Sequence, residues 1–230
     1  MQLKILSWNI WVFCNFERIK DFLAESNADI VGLQEVKDDD QDRDVVSYMK
    51  SLGYECVFTS VKKVWNGVEY NDGLAIFSKY PIIASKIYNL SEMENRCAIR
   101  ADIEVNGKVT HFFSTHLIHT HQKYSEIQDL QAENLLKVLP QTSTIIVGDF
   151  NATPESNPIK KMSGVFVNTD SKELPTWSID ILGCSICKLE KLNTKLDYIF
   201  TSKDIKTESF KVENDATGSD HLPISVIVEI

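Results

Sequence analysis

Apolar, strand-like runs in this chain repeatedly end on the same kinds of side chain: acids, amides and histidines. Asn9 closes the run 3–10, Glu35 follows the run 28–33, and His116 ends the run 108–116. Asp149 and Asn151 follow the run 144–147, while Asp220 and His221 precede the closing run 224–230. Asp197 lies inside a further run, between Leu196 and Tyr198. A buried carboxylate is costly unless it is paired or bound to a cation. A single such residue reads as a strand-end cap or a surface acid. The whole series instead predicts acids gathered at one rim of a sheet.

The intervening elements follow from periodicity. Phe16, Ile19, Phe22 and Leu23 recur on one helical face over 16–26, and Val45, Met49 and Leu52 do so over 42–52, where Gly53 supplies the stop. Asn66-Gly67 and Asn106-Gly107 mark hairpins, and Cys97, Ile99, Ala101, Ile103 and Val105 alternate before the second. Ser125 and Gln128 form a capping box that opens a helix through Leu139, ended by Pro140. Residues 152–195 read as irregular, broken by Pro154, Pro158 and Pro175. No linker, repeat or low-complexity segment intervenes, so residues 1–230 are expected to form one domain.

Composition sets the outer bounds. With 43% hydrophobic and 25% charged residues, a 230-residue chain has material for a large core, which excludes disorder and disulfide-stapled miniproteins. The charge of 24 − 33 = −9 weighs against binding through many phosphates at once, but not against a local site that touches a few. No run approaches a membrane span, and the N-terminus lacks the apolar region of an export signal. Five scattered cysteines suit a reducing compartment, so a cytoplasmic monomer without an obligate protein partner is expected. Cys184 and Cys187 read as ordinary cysteines, because no second pair or histidine accompanies them as zinc would require.

Residue type narrows the chemistry. Glu, Asp and Asn oxygens are hard ligands suited to Mg²⁺, with Mn²⁺ as a substitute. The chain has no Gly-x-Ser-x-Gly elbow and no phosphate-cradling Gly-x-x-x-x-Gly-Lys loop. A hard metal, two histidines and an Asp-x-Asn pair on one strand face fit hydrolysis of a phosphate ester. In such chemistry a carboxylate orients or deprotonates water and imidazoles hold the developing oxyanion.

Six ordered motifs then resemble one family. They are Trp8-Asn9-Ile10, Leu33-Gln34-Glu35-Val36, Ser114-Thr115-His116-Leu117, Gly148-Asp149-Phe150-Asn151, Leu196-Asp197-Tyr198-Ile199-Phe200 and Ser219-Asp220-His221-Leu222-Pro223. Together they resemble the endonuclease/exonuclease/phosphatase family, the deoxyribonuclease I-like superfamily. The resemblance implies an α/β (α+β) fold, a four-layer α/β/β/α sandwich of two mixed sheets with helices outside. It implies Glu35 as principal Mg²⁺ ligand, supported by Asn9 and Asp220. It implies Asp149 activating water, Asn151 and His221 contacting the phosphate, Asp197 orienting His221, and His116 stabilising the transition state. Arg96 resembles the family's phosphate-contacting arginine.

Branch and substrate are less constrained. The Thr115-His116-Leu117 element departs from the Tyr-x-Pro-Asn of AP endonucleases, and Lys195-Leu196-Asp197-Tyr198 departs from the Trp-Cys-Asp-Arg of inositol phosphatases. A small-molecule or lipid-like phosphodiester, or a nucleic-acid end, is the expected substrate; a nuclease or DNA-end-processing enzyme is the alternative. Loops 60–72, 117–124 and 155–195 are the candidate selectors, with Trp65, Tyr70 and Trp177 available for stacking. His119 and His121 read as an exposed loop rather than a second metal site, and Lys62-Lys63 is too short a basic patch for a nucleic-acid groove. A protonated His116 beside an ionised Asp149 predicts a rate maximum near neutrality.

Overall fold

A computed structural model describes residues 1–37, 41–65, 67–92, 95–177 and 193–230. In chain order the first half contains β1 (Gln2–Asn9), α1 (Phe16–Ser26), β2 (Ile30–Val36), α2 (Val45–Ser51), β3 (Glu55–Trp65), β4 (Val68–Ser78), β5 (Ile82–Ser91) and β6 (Arg96–Val105). The second half contains β7 (Lys108–His116), α3 (Glu126–Val138), β8 (Thr144–Asp149), α4 (Asn157–Val165), β9 (Val167–Asn168), β10 (Asp197–Thr201), β11 (Lys206–Val212) and β12 (Ile224–Glu229). These strands build two mixed six-stranded sheets, ordered β11-β12-β1-β2-β4-β3 and β5-β6-β7-β8-β10-β9.

Period-two alternation sorts the side chains of both sheets into inner and outer rows. Leu3, Ile5, Ile30, Leu74 and Ile76 of the first sheet meet Ile99, Ala101, Phe112, Ile145, Val147 and Ile199 of the second in a central core. On the first sheet's outer face, Leu6, Trp8, Val31, Leu33 and Phe77 pack with Ile19 and Leu23 of α1 and Val45 and Met49 of α2. The second sheet's outer face buries Phe113, Ile146, Tyr198 and Phe200 against Ala132 and Leu135 of α3 and Ile159 and Met162 of α4. The result is the expected four-layer α/β/β/α sandwich. Each fully buried Leu, Ile or Phe contributes roughly 1.5–3 kcal/mol relative to exposure, so three continuous cores hold strands that propensity alone would leave ambiguous.

The sheets pack tightly at Gly32, where an added Cβ would stand 2.3 Å from Val147 Cγ2. Gly148 is tighter still: at φ +157 its added Cβ would lie 2.1 Å from the Thr115 carbonyl oxygen of the neighbouring strand. Space therefore requires glycine at 148, where the obstacle is backbone, and favours it at 32, where the obstacle is the end of a side chain.

Local signals explain where the elements depart from expectation. The second helix begins at Val45 rather than 42, because Asp44 takes the cap and accepts from Ser47 N at 2.9 Å, while Gln41–Arg43 forms a 3₁₀ turn. Ser125 caps α3 by accepting from Gln128 N. The Gln128 side chain does not close the box; it donates instead to the carbonyls of Ile118 (2.9 Å) and Asn151 (2.9 Å). The stretch 152–195, expected to be irregular, contains α4. Pro158 sits in the first turn of that helix, where a missing N–H breaks no hydrogen bond, so it is a start signal rather than a stop. Among the described residues no helix is long and apolar enough to cross a membrane. Cys184 and Cys187 lie outside the described residues.

Candidate active site

The site grows out of the inner rows. On β8, Ile145 and Val147 face the opposite sheet, so Asp149 does too; on β10, Asp197 stands two residues before inward Ile199. Sheet register sets His116 beside Asp149 and Asp149 beside Asp197, one row across three neighbouring strands. On β1, Asn9 continues the row of Leu3 and Ile5.

Glu35 arrives by a different route. Strict alternation would turn it outward with Val31 and Leu33. The β2–β4 register shifts between Gln34 and Val36, and Glu35 takes a left-handed φ of +58. This bulge lets Val36 rejoin the outer core and swings Glu35 to the inner side. There Glu35 accepts from Asn9 Nδ2 at 3.1 Å and from Val12 N at 3.1 Å.

Asn9 ties the two sheets together, since its Nδ2 also donates to Asp149 Oδ2 at 3.0 Å. The same carboxylate oxygen lies 3.5 Å from His116 Nε2 and 3.7 Å from His221 Nε2. Its other oxygen accepts from Asn151 N at 2.8 Å, across a turn in which Asn151 takes a φ of +49. His221 Nδ1 bonds Asp197 Oδ2 at 2.8 Å, and Thr176 donates to that oxygen at 2.6 Å. Trp8 Nε1 fixes the His221 carbonyl at 2.9 Å. Asp220 Oδ2 accepts from Trp177 Nε1 at 3.0 Å. Arg96, at the start of β6, reaches Asp72 at 3.9 Å, and Lys63 also pairs with Asp72. All nine residues singled out in the sequence thus stand at or beside one rim.

The electrostatics divide the roles. Burial, opposed by His221 and reinforced by Asp197, raises the Asp149 carboxyl to about 7. Burial, then Asp72 and Asp220, raises Glu35. Burial works against a charge on His221, but Asp197, Asp149 and Asp220 outweigh it and hold its pKa well above the usual imidazole range. His116 goes the other way: burial, then Arg96 and Lys63, pushes it well below that range. The surroundings therefore favour the charged imidazole on His221 and disfavour it on His116, where the sequence reading placed it. The difference is the neighbour: an aspartate touches the former, and two cations flank the latter.

Several contributors were not visible as motifs. Asp72 is one, although alternation run backwards from Ile76 and Leu74 places it on the inner face. His119, expected on an exposed loop, is half-buried and bonds Asn151 Oδ1 at 2.7 Å, and its Nε2 meets His121 Nδ1 at 3.1 Å. Trp177 is 4% exposed and holds Asp220, so it is a wall of the site and not a free stacking platform. Tyr70 is half-buried with its ring against Phe13. Lys63 is committed to Asp72, which removes it from any basic patch.

A divalent cation fits this donor set. The tightest acid–histidine group is Asp149, Asp197 and His221, whose ligand atoms lie within 4.8 Å of one another. Two of its members already satisfy each other through the 2.8 Å bond. Glu35 is the stronger candidate: it is half-buried at the rim, and its largest electrostatic neighbours, Asp72 and Asp220, are acids. Carboxylate oxygens of this kind are the hard ligands that Mg²⁺-type ions bind.

A two-sheet sandwich carrying buried acids, an Asp–His pair and a hard-cation site defines a metal-dependent hydrolase of phosphate esters. Residues 6–221 match the model of the Endonuclease/Exonuclease/phosphatase family, and the chain belongs to that family. A family member from Beutenbergia cavernae is similar in structure with a TM-score of 0.82 at 17% identity, covering 100% of this chain and 72% of its own. The human Nocturnin catalytic domain with bound sulfate scores 0.68 at 24% identity, covering 99% and 93%. A mannosyl-6-phosphatase from Bacteroides thetaiotaomicron scores 0.73 at 17% identity, covering 99% and 100%. No curated protein sequence matches the chain.

Proposed function

We propose that residues 1–230 form one Mg²⁺-dependent phosphodiesterase unit in which Asp149 takes the proton of the attacking water. The observation that carries this reading is the setting of Asp149. One of its oxygens is met by Asn9 at 3.0 Å and faced by His116 at 3.5 Å and His221 at 3.7 Å, in a buried site that raises its pKa to about 7. A base poised near neutrality suits proton transfer at physiological pH.

Glu35 would be the principal ligand of Mg²⁺ or Mn²⁺, with Asn9 and Asp220 beside it. The bound ion supplies offsetting charge for phosphoryl oxygens. Asp197 holds the charge on His221, whose Nε2 is directed toward Asp149 and the space where a phosphate would sit. Asn151 donates to the same phosphate through its amide. His116, kept neutral, donates from Nε2 on the opposite flank, and Arg96 adds a fixed positive charge nearby. These fixed donors act where charge develops, in a site that excludes bulk water.

The substrate we favour is a small, lipid-like or nucleic-acid-end phosphodiester handled in the cytoplasm. Net charge −9 and the commitment of Lys63 to Asp72 support a local rather than an extended phosphate contact. The test is turnover of bis-p-nitrophenyl phosphate with Mg²⁺ by the wild type and by Glu35→Gln and Asp149→Asn. Near-wild-type turnover by either folded variant would defeat the reading. A panel of sphingomyelin, sugar phosphates, single- and double-stranded DNA and blocked DNA ends then selects the class. Steeply salt-dependent DNA binding would favour the nuclease.

A further inference from the structure

We propose that His119 is a positioning residue: by donating a hydrogen bond from Nδ1 to Asn151 Oδ1, it locks the Asn151 amide in the orientation that the Leu117 carbonyl selects and so keeps the remaining Asn151 N–H available to the site. The consequence for activity rests on the role proposed above for Asn151.

Donors and acceptors alternate along a short chain of groups. Asn151 has two ends, an acceptor Oδ1 and a donor Nδ2 with two hydrogens. Leu117 presents a backbone carbonyl 3.0 Å from one end, and a carbonyl only accepts, so that end is Nδ2. The other end, 2.7 Å from His119 Nδ1, is therefore Oδ1, and His119 must donate from Nδ1. Burial lowers the His119 pKa, with the Asn151 hydrogen bond opposing it, which favours a ring with a single N–H. That N–H is then on Nδ1, leaving Nε2 as the acceptor for His121 Nδ1 at 3.1 Å. The order His121 to His119 to Asn151 to Leu117 is fixed by one carbonyl. With one Asn151 hydrogen spent on Leu117, the second is the one left to meet a phosphate oxygen.

Two further contacts hold the chain in place. The His119 ring packs edge-on against Trp177 at 5.8 Å and against His121 at 4.6 Å. Trp177 in turn holds Asp220, so His119 also abuts the wall beside the cation site. His121 and Gln122 take left-handed φ values of +53 and +56, a local strain of the kind held at working sites.

Three substitutions separate donor, volume and ring position. His119→Phe keeps the ring volume and removes the donor. His119→Asn places an amide N–H where Nδ1 was, and His119→Gln places one where Nε2 was. We expect Phe and Gln to lower kcat/KM on bis-p-nitrophenyl phosphate about 10- to 100-fold, as losing one aimed hydrogen bond does, with unchanged melting temperature. His119→Asn is expected within about fivefold of wild type, and in an Asn151→Ala background His119→Phe should add less than about twofold. Phe within twofold of wild type, or Asn as slow as Phe in a folded protein, would overturn the proposal. Nitrogen-15 NMR of the histidine rings gives a readout independent of turnover. His119 should carry its proton on Nδ1 and lose that preference in Asn151→Ala; a proton on Nε2 in the wild type would overturn it. If the wild type lacks phosphodiesterase activity while the Nδ1 tautomer stands, the functional reading fails and the positioning does not.

Discussion

His116, Asp149 and Asp197 stand side by side on three neighbouring strands of the second sheet, in undistorted register. Glu35 of the first sheet reaches the same rim only through a bulge and a φ of +58. The second sheet delivers its residues because alternation already points them inward. The first has to break alternation to do the same. On the proposed roles, the proton-handling groups of this row sit on regular backbone, whereas the leading candidate for cation ligand sits on a strained one. Geometry that must be accurate to a few tenths of an ångström is best built on a rigid ladder. A cation ligand can be carried by a bulge, because the ion itself would help hold it.

This contrast can be broken at either side. The largest effect is expected from Asp149→Asn, with kcat falling by about 10³- to 10⁴-fold while the melting temperature is kept, since one general base is removed from a rigid site. Steady-state kinetics beside a thermal melt checks both halves. Next comes Gly148→Ala, where the new Cβ meets a backbone oxygen at 2.1 Å, between strands that cannot part without losing register. Denaturant titration should show a loss of roughly 3 kcal/mol, the upper end for overpacking.

Glu35→Gln probes the strained side. It should leave the metal-free melt near that of wild type but abolish stabilisation by Mg²⁺. In the wild type that stabilisation is about 2.7 kcal/mol at a hundredfold excess over Kd. An unchanged magnesium response would move the cation to another ligand set. Gly32→Ala is milder than Gly148→Ala. Its clash at 2.3 Å is with the end of the Val147 side chain, which can rotate, so about 1–2 kcal/mol is expected from the same titration.

The smallest effect is on pH dependence. Folding raises Asp149 from 3.8 to about 7 and raises Glu35, so between those values the metal-free fold binds more protons than the unfolded chain. Its stability should therefore fall as pH rises through that window. Cation binding needs the ionised carboxylates, so the stabilisation by Mg²⁺ should grow over the same range. Melts at pH 5 and pH 8, in chelator and in Mg²⁺, compare the two signs directly.

Much of the site was legible because strand periodicity and strand ends are local properties. Asn9, His116, Asp149 and Asp220 could be picked from where apolar runs stop, and Arg96 from a motif likeness. What escaped depends on distant partners. Asp72 lies mid-strand, and nothing nearby in sequence shows that Lys63 and Arg96 will flank it. Trp177 is separated from Asp220 by 43 positions, and His119 from Asn151 by 32. Helix α4 is hidden in the sequence because its proline, a breaker in a helix interior, stands in the first turn.

By itself the sequence determined the alternating inner and outer rows and the acids and histidines closing them. Those follow from side-chain period and polarity, which act over a few residues. Tertiary structure alone decided which histidine's surroundings favour a charge and which way the Glu35 bulge turns. It also decided which side chains orient Asn151. Each of these depends on the charge and hydrogen-bonding capacity of groups brought together only when the two sheets pack.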